Sequence, residues 1–126
     1  MSERLRQIVE SMKIRAGDLV LEIGCGHGVA AAYICERLED GHLVAIDRSR
    51  KMIDAAKRKN ARAVAAGKAS FHVADMYEFE PGTRKFDKVL AVRVGSFHRE
   101  RAKAETIVKR WLAPRGKLFV VYDEPT

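Results

Sequence analysis

Apolar residues recur in two rhythms along this 126-residue chain. In the first they stand almost side by side, in short runs bounded by turn residues. Leu19-Val20-Leu21 with Ile23 is one such run; His42 to Ile46, Ser70 to Val73, Phe86 to Val92 and Lys117 to Tyr122 are the others. Short runs with little polar alternation predict strands buried on both faces, as in a parallel sheet. In the second rhythm the spacing is helical. Leu5, Ile8, Val9 and Met12 predict a helix over residues 3–13, with Ser2 as its cap. A helix follows from Val29 to about Leu38. A longer one opens at Arg48-Ser49-Arg50, turns Met52, Ile53 and Ala56 inward, and stops at Gly67. Ala104, Ile107, Val108 and Trp111 mark the stripe of another. Strands alternating with helices predict one α/β domain over residues 1–126, a three-layer parallel sheet. Right-handed crossovers in a doubly wound arrangement give the strand order 3-2-1-4-5.

In such a sheet ligands bind beyond the carboxyl ends of the strands, where the order reverses. The first predicted strand breaks there into Gly24-Cys25-Gly26-His27-Gly28, and a helix starts at once. Glycines permit positive φ and close backbone approach, and a helix start offers unpaired N–H groups. A dinucleotide fingerprint places its third glycine three positions after the second. Here it falls two positions after, which weighs against a nicotinamide cofactor. Three acids share this edge: Glu22 in the first strand, Asp47 closing the second, and Asp75 after the third. A carboxylate at Asp47 suits two ribose hydroxyls, because both oxygens accept, and it disfavours a 2′-phosphate. Asp75 can accept from an exocyclic amino group. The Met76 amide can serve a ring nitrogen, and Met76 with Ile46 or Arg48 can sandwich the ring.

Composition narrows the class without naming it. Apolar content of 47% with 33% charged residues describes a globular domain able to bury a core. No run is long and apolar enough to cross a membrane, and the charged start MSERLRQIVE is no secretory signal. Cys25 and Cys35 show no metal-ligand spacing and fit a reduced, cytoplasmic setting. The net charge of +7 permits an acidic partner such as nucleic acid. A basic helix carries Arg48, Arg50, Lys51, Lys57, Arg58, Lys59 and Arg62. No aromatic residues are interleaved with it for base stacking, so the run reads as a solvated helix face before it reads as an RNA surface.

Taken together, Leu19–Val29, Val44–Asp47, Val73–Met76, Phe86–Val92 and Leu112–Val120 resemble motifs I to IV and the fifth-strand segment of the class I S-adenosylmethionine-dependent methyltransferases. The resemblance covers nearly the whole chain, and the small-molecule branch looks closest. It implies a Rossmann-like fold, S-adenosyl-L-methionine as cofactor, and methyl transfer to a nucleophile. Glu22, Gly24, Cys25, Gly26, Gly28, Asp47, Arg48, Asp75, Met76 and Val92 are the cofactor-binding residues it implies. The family's sheet normally adds an antiparallel pair, strands 6 and 7, after the fifth. This chain stops at Thr126, so that pair is expected to be lacking.

A sulfonium methyl carries its own activation, so alignment and water exclusion are the main requirements. His98, just past the fourth strand, is the candidate base, and Arg93 the candidate clamp for an acidic acceptor. His27 reads as a spacer and Cys25 as a small buried filler. His72 is expected to pack against a helix, with no role. Two other functions compete: an RNA methyltransferase, and a non-catalytic S-adenosylmethionine-binding module needing a partner subunit. The apolar fifth strand is expected to be an open edge, only weakly protected by Lys117 and Pro125. That predicts a homodimer or partner through this strand and the helix carrying Trp111.

Overall fold

The centre of the sheet is β1 (Leu19–Ile23), flanked in parallel by β2 (His42–Asp47) and β4 (Phe86–Val92). The computed structural model describes residues 2–122. With β3 (Ala69–Val73) beyond β2 and β5 (Leu112–Val121) beyond β4, the order is 3-2-1-4-5 and every pairing is parallel. The expected topology is the one observed. Pro125 lies outside the described residues.

Helices clothe both faces of the sheet. On one lie α1 (Glu3–Ser11), α2 (Val29–Arg37), α3 (Arg50–Lys59) and α4 (Ala61–Ala65), over a core that includes Val9, Met12, Val20, Ile34, Leu43, Ile53 and Leu90. On the other lie α5 (Gly95–Arg99) and α6 (Arg101–Lys109), over Leu21, Ile23, Val44, Phe86, Val89 and Val108. Adjacent residues of β1 thus divide between two cores, which is why the run lacks polar alternation. Ser2 caps α1, its hydroxyl accepting from the Leu5 amide at 3.2 Å. At the amino ends of the strands, Lys88 pairs with Asp18 at 2.8 Å and the Leu19 amide donates to Asp87 at 2.8 Å. These contacts tie β1 to β4 at the end away from the glycine loop.

Three features depart from the expected elements. The long helix after β2 breaks at Asn60, which is 5% exposed. Its side-chain amide donates to the carbonyls of Gly28 at 3.1 Å and Ala56 at 2.9 Å, so a tertiary bond holds the break. The short helix α5 was not foreseen. β5 starts at Leu112, earlier than Lys117: Phe86 faces Leu112, while Lys88 faces Lys117. The residues between, including Pro114 and Gly116, bulge out of the ladder. Trp111 is only 8% exposed and packs edge-on against Phe79 at 5.4 Å, so it belongs to the core rather than to an outer face. His72 is exposed on the outermost strand instead of packing under a helix.

Candidate functional site

The glycine loop is fastened to β2 before any ligand is considered. The amides of Gly24 and Cys25 donate to the Ile46 carbonyl at 2.8 and 3.0 Å. The Gly26 amide donates to one Asp47 oxygen at 2.9 Å, and the Ser49 amide to the other at 2.9 Å. Each carboxylate oxygen keeps a lone pair in hand, so Asp47 can still accept from two hydroxyls. Ser49 then caps α3, accepting from the Met52 amide at 3.2 Å.

Two glycines of the loop serve different purposes. Gly26 has φ +55°, and a Cβ built there meets nothing within 4 Å. That position is open cradle. Gly28 has φ +90°, and its Cβ would stand 2.6 Å from the Asn60 amide nitrogen and 3.0 Å from the Ala56 backbone. Gly28 therefore lets α3 close against the loop, and Asn60 locks the contact. Sequence reasoning missed Asn60. Its only signal was a polar residue interrupting the inward alanine face of a helix.

Beside the loop, a cavity of about 320 Å³ opens at the carboxyl ends of β1, β2 and β4. It is a size that suits a small organic ligand. Gly24, Asp47, Arg48, Asp75, Met76 and Val92 line it, and so does Arg93. Ile46, Ala74 and Val94 supply apolar wall. On the rim, Arg48 reaches Asp75 at 3.6 Å, and the Tyr77 amide donates to the other Asp75 oxygen at 2.8 Å. The Arg48 side chain is 78% exposed, so this pair is screened and easily exchanged. Arg93 stands where β4 ends, in a left-handed conformation at φ +55°, with its amide donating to the Val121 carbonyl at 2.7 Å. A non-glycine residue held there stores strain, a common mark of a functional edge.

Glu22 of β1 and the loop residues Cys25, Gly26 and Gly28 do not line this cavity. Glu22 is 3% exposed and its Oε1 finds no hydrogen-bond partner among the described residues. Burial, and secondarily the charge of Asp47, raise its pKa to about 8. Cys25 is buried in the apolar core, and its thiol is pushed upward by that burial and by Glu22 and Asp47. His27 is exposed on a separate shallow groove shared with Ser2, Val29 and Arg93. His98 does not line the cavity. It sits in α5, exposed, with its ring stacked on Tyr122 at 4.4 Å and 6°. The cavity wall that α5 supplies comes from Gly95, Ser96 and Arg99.

Residues 20–116 match a family described as a methyltransferase domain. The chain belongs to that family. Over 119 residues this methyltransferase domain is 33% identical to a protein-L-isoaspartate O-methyltransferase of Methylorubrum extorquens, covering 94% of this chain and 47% of the relative. It is 29% identical to phosphoethanolamine N-methyltransferase 1 of Arabidopsis thaliana, covering 94% of this chain and 23% of the relative. Among solved structures, coclaurine N-methyltransferase bound to N-methylheliamine and SAH superposes with a TM-score of 0.80 at 20% identity, over 93% of this chain and 34% of that one. A SAM-dependent methyltransferase from Thiobacillus denitrificans in complex with S-adenosyl-L-homocysteine superposes with a TM-score of 0.80 at 22% identity, over 95% of this chain and 48% of that one. The fold is therefore the Rossmann-like fold of S-adenosylmethionine-dependent methyltransferases. This domain spans half or less of the length of these relatives.

Proposed function

We propose that this chain is an S-adenosylmethionine-dependent methyltransferase domain that transfers a methyl group to a small-molecule acceptor. The observation that carries the reading is the cavity beside Gly24, walled by Asp47, Asp75 and Met76 in the register expected of a nucleoside site. The donor set fits the cofactor. Gly26 leaves room where a side chain would fill the cradle, and Asp47 keeps acceptor capacity for a ribose diol. Asp75 and the Met76 amide suit an adenine edge, with Ile46 and the Arg48 stem against its faces. Bound S-adenosylmethionine supplies an electrophilic methyl and a neutral thioether leaving group.

The chain's own part is to hold and align. The glycine loop and Asp47 fix the nucleoside. Val92, Val94 and Met76 exclude water, which favours transfer between aligned partners. Arg93 faces the cavity and can clamp an acidic acceptor with its forked guanidinium. His98 serves as a base only if α5 turns it away from Tyr122, so Arg93 carries more of the acceptor reading. Printed names of relatives, phosphoethanolamine N-methyltransferase among them, support a small acceptor.

Calorimetry with S-adenosylhomocysteine tests the cofactor half. Binding by the wild type with loss in Gly26→Val is expected, whereas binding of NAD in its place refutes the reading. Arg93→Ala and His98→Ala should keep cofactor affinity and lower methyl transfer, with the larger fall at Arg93. Full transfer in both variants removes them from the acceptor site.

A second reading has a specific support: the domain spans 47% and 23% of the two relatives named above, and the outer edge of β5 has no strand beside it among the described residues. In that reading the chain binds the cofactor and a partner completes the acceptor site. We favour a homodimer through β5, whose Leu118, Phe119, Val120 and Val121 are only half-buried beside a groove of about 530 Å³. Trp111, buried against Phe79, is not part of that surface. Light scattering at micromolar concentration decides between dimer and monomer. The buried free thiols of Cys25 and Cys35 support a reducing, cytoplasmic location. No described helix is long and apolar enough to cross a membrane.

A further inference from the structure

The excess charge of this protein is not spread over it. Residues 48–68 hold eight Lys and Arg and a single acid, Asp54, for a net charge of +7. The rest of the chain holds sixteen basic and sixteen acidic residues and is neutral. The whole net charge therefore lies on α3, α4 and their flanks.

The two regions also treat their charges differently. Elsewhere, cations meet acids: Arg6 with Glu36 at 3.8 Å, Lys88 with Asp18 at 2.8 Å, Arg101 with Glu105 at 3.3 Å. On α3 and α4, Arg50, Lys51, Lys57, Arg58, Lys59 and Arg62 are all exposed, and among the described residues none of the six makes an ion pair. Like charges at this spacing repel, so folding gains nothing from their clustering. His72 on β3 is held below the usual histidine range, first by partial burial and then by the nearby charges of Arg84, Lys57 and His42. Below the cluster a groove of about 600 Å³ is bordered by Arg58, Lys59, Arg62 and Lys68, with Glu36 as its acid.

We propose that the exposed α3–α4 face docks the sugar–phosphate backbone of a duplex nucleic acid. Along α3 the run from Arg50 to Lys59 rises about 14 Å, a span of about four phosphates along one strand, and Arg62 on α4 lies beyond it. Positively charged side chains without base-reading partners are what backbone binding needs. A single strand fits less well, since no aromatic side chain stands on this face for stacking. A membrane surface fits less well, because the apolar face of α3, with Ile53 and Ala56, is consumed by the core. A protein partner fits less well, because the patch offers no aromatic anchor. The amino end of α3 follows Asp47 and Arg48, so a docked backbone runs up to the rim of the cofactor cavity. The inference does not depend on which acceptor takes the methyl group.

Fluorescence anisotropy of the full chain with labelled RNA and DNA duplexes of about 20 base pairs tests it, between about 50 and 200 mM salt. Contact with about four phosphates predicts binding that weakens about 100-fold across that range. The triple variant R58E/K59E/R62E should lose at least about 30-fold in affinity at the lower salt, with two to three such contacts removed and repulsion added. It should keep both its unfolding midpoint and its S-adenosylhomocysteine binding. If the charge reversal unfolds the chain, R58Q/K59Q/R62Q takes its place, and weakened binding is expected again. The proposal is overturned by no duplex binding at the lower salt, by a neutral or reversed variant that binds as the wild type does, or by tighter binding to phosphatidylserine vesicles or to polyglutamate than to either duplex. Absence of cofactor binding in the wild type would instead strike the methyltransferase reading and leave the duplex result standing.

Discussion

The two sides of the sheet are finished to different degrees. From β1 to β3 the carboxyl edge is closed by hydrogen bonds: the loop amides on Ile46 and Asp47, Ser49 on the same carboxylate, Asn60 on Gly28. All but the first residue of β1 are buried, and so are the middle four of β2. From β4 to β5 the edge is looser. No residue of β5 is fully buried, Arg93 is strained at the strand end, and α5 presents Ser96 and Arg99 to the cavity with His98 turned to Tyr122. A cofactor common to many reactions can be held by a finished, rigid half. The other half leaves the outer edge of β5 without a strand beside it among the described residues.

The contrast can be broken or sharpened by mutation, and Gly28 should respond most. A Gly28→Val change forces a side chain against Asn60 and Ala56 at positive φ, and should cost on the order of 3 kcal/mol of stability by denaturant unfolding. A cost under about 1 kcal/mol would show that the closed half is less tightly packed than its contacts indicate.

Asp47→Ala comes next. Loss of a charged acceptor should weaken S-adenosylhomocysteine binding by about 1.5–3 kcal/mol in calorimetry. Unchanged affinity would remove Asp47 from the site.

Glu22 gives a pH signature. Its folded pKa, about 8, lies above the ordinary 4.5, so the folded chain holds a proton the unfolded chain has released. Its favourable contribution is complete below the unfolded value and is lost as pH rises towards about 8. The slope is at most about 1.4 kcal/mol per pH unit. Glu22→Gln should flatten the melting temperature across that window, and an unaltered slope would assign the pH dependence to other groups.

The smallest effect on stability is expected on the open side. Val120→Lys changes a half-buried edge residue and should cost less than about 1 kcal/mol while reducing self-association in light scattering. A wild type that is monomeric at micromolar concentration would refute the dimer.

Much of this architecture was legible in the residues. Near-continuous apolar runs mark strands covered on both faces, and the glycine spacing with Glu22, Asp47 and Asp75 marks the ligand edge, because both are local patterns set by backbone geometry. The order 3-2-1-4-5 followed from crossover handedness. Tertiary structure decided what depends on distant contacts. Asn60 breaks a helix whose local propensity would carry it on, because its amide is claimed by Gly28 across the fold. Trp111 reads as the last residue of a helical stripe but stands in the turn after α6, packed against Phe79. Arg93 and His98 stand five positions apart in the chain, yet Arg93 at the end of β4 lines the cavity while His98 on α5 stacks on Tyr122. Sequence periodicity names the face of an element, whereas the neighbour that meets that face is chosen only when the whole chain has packed.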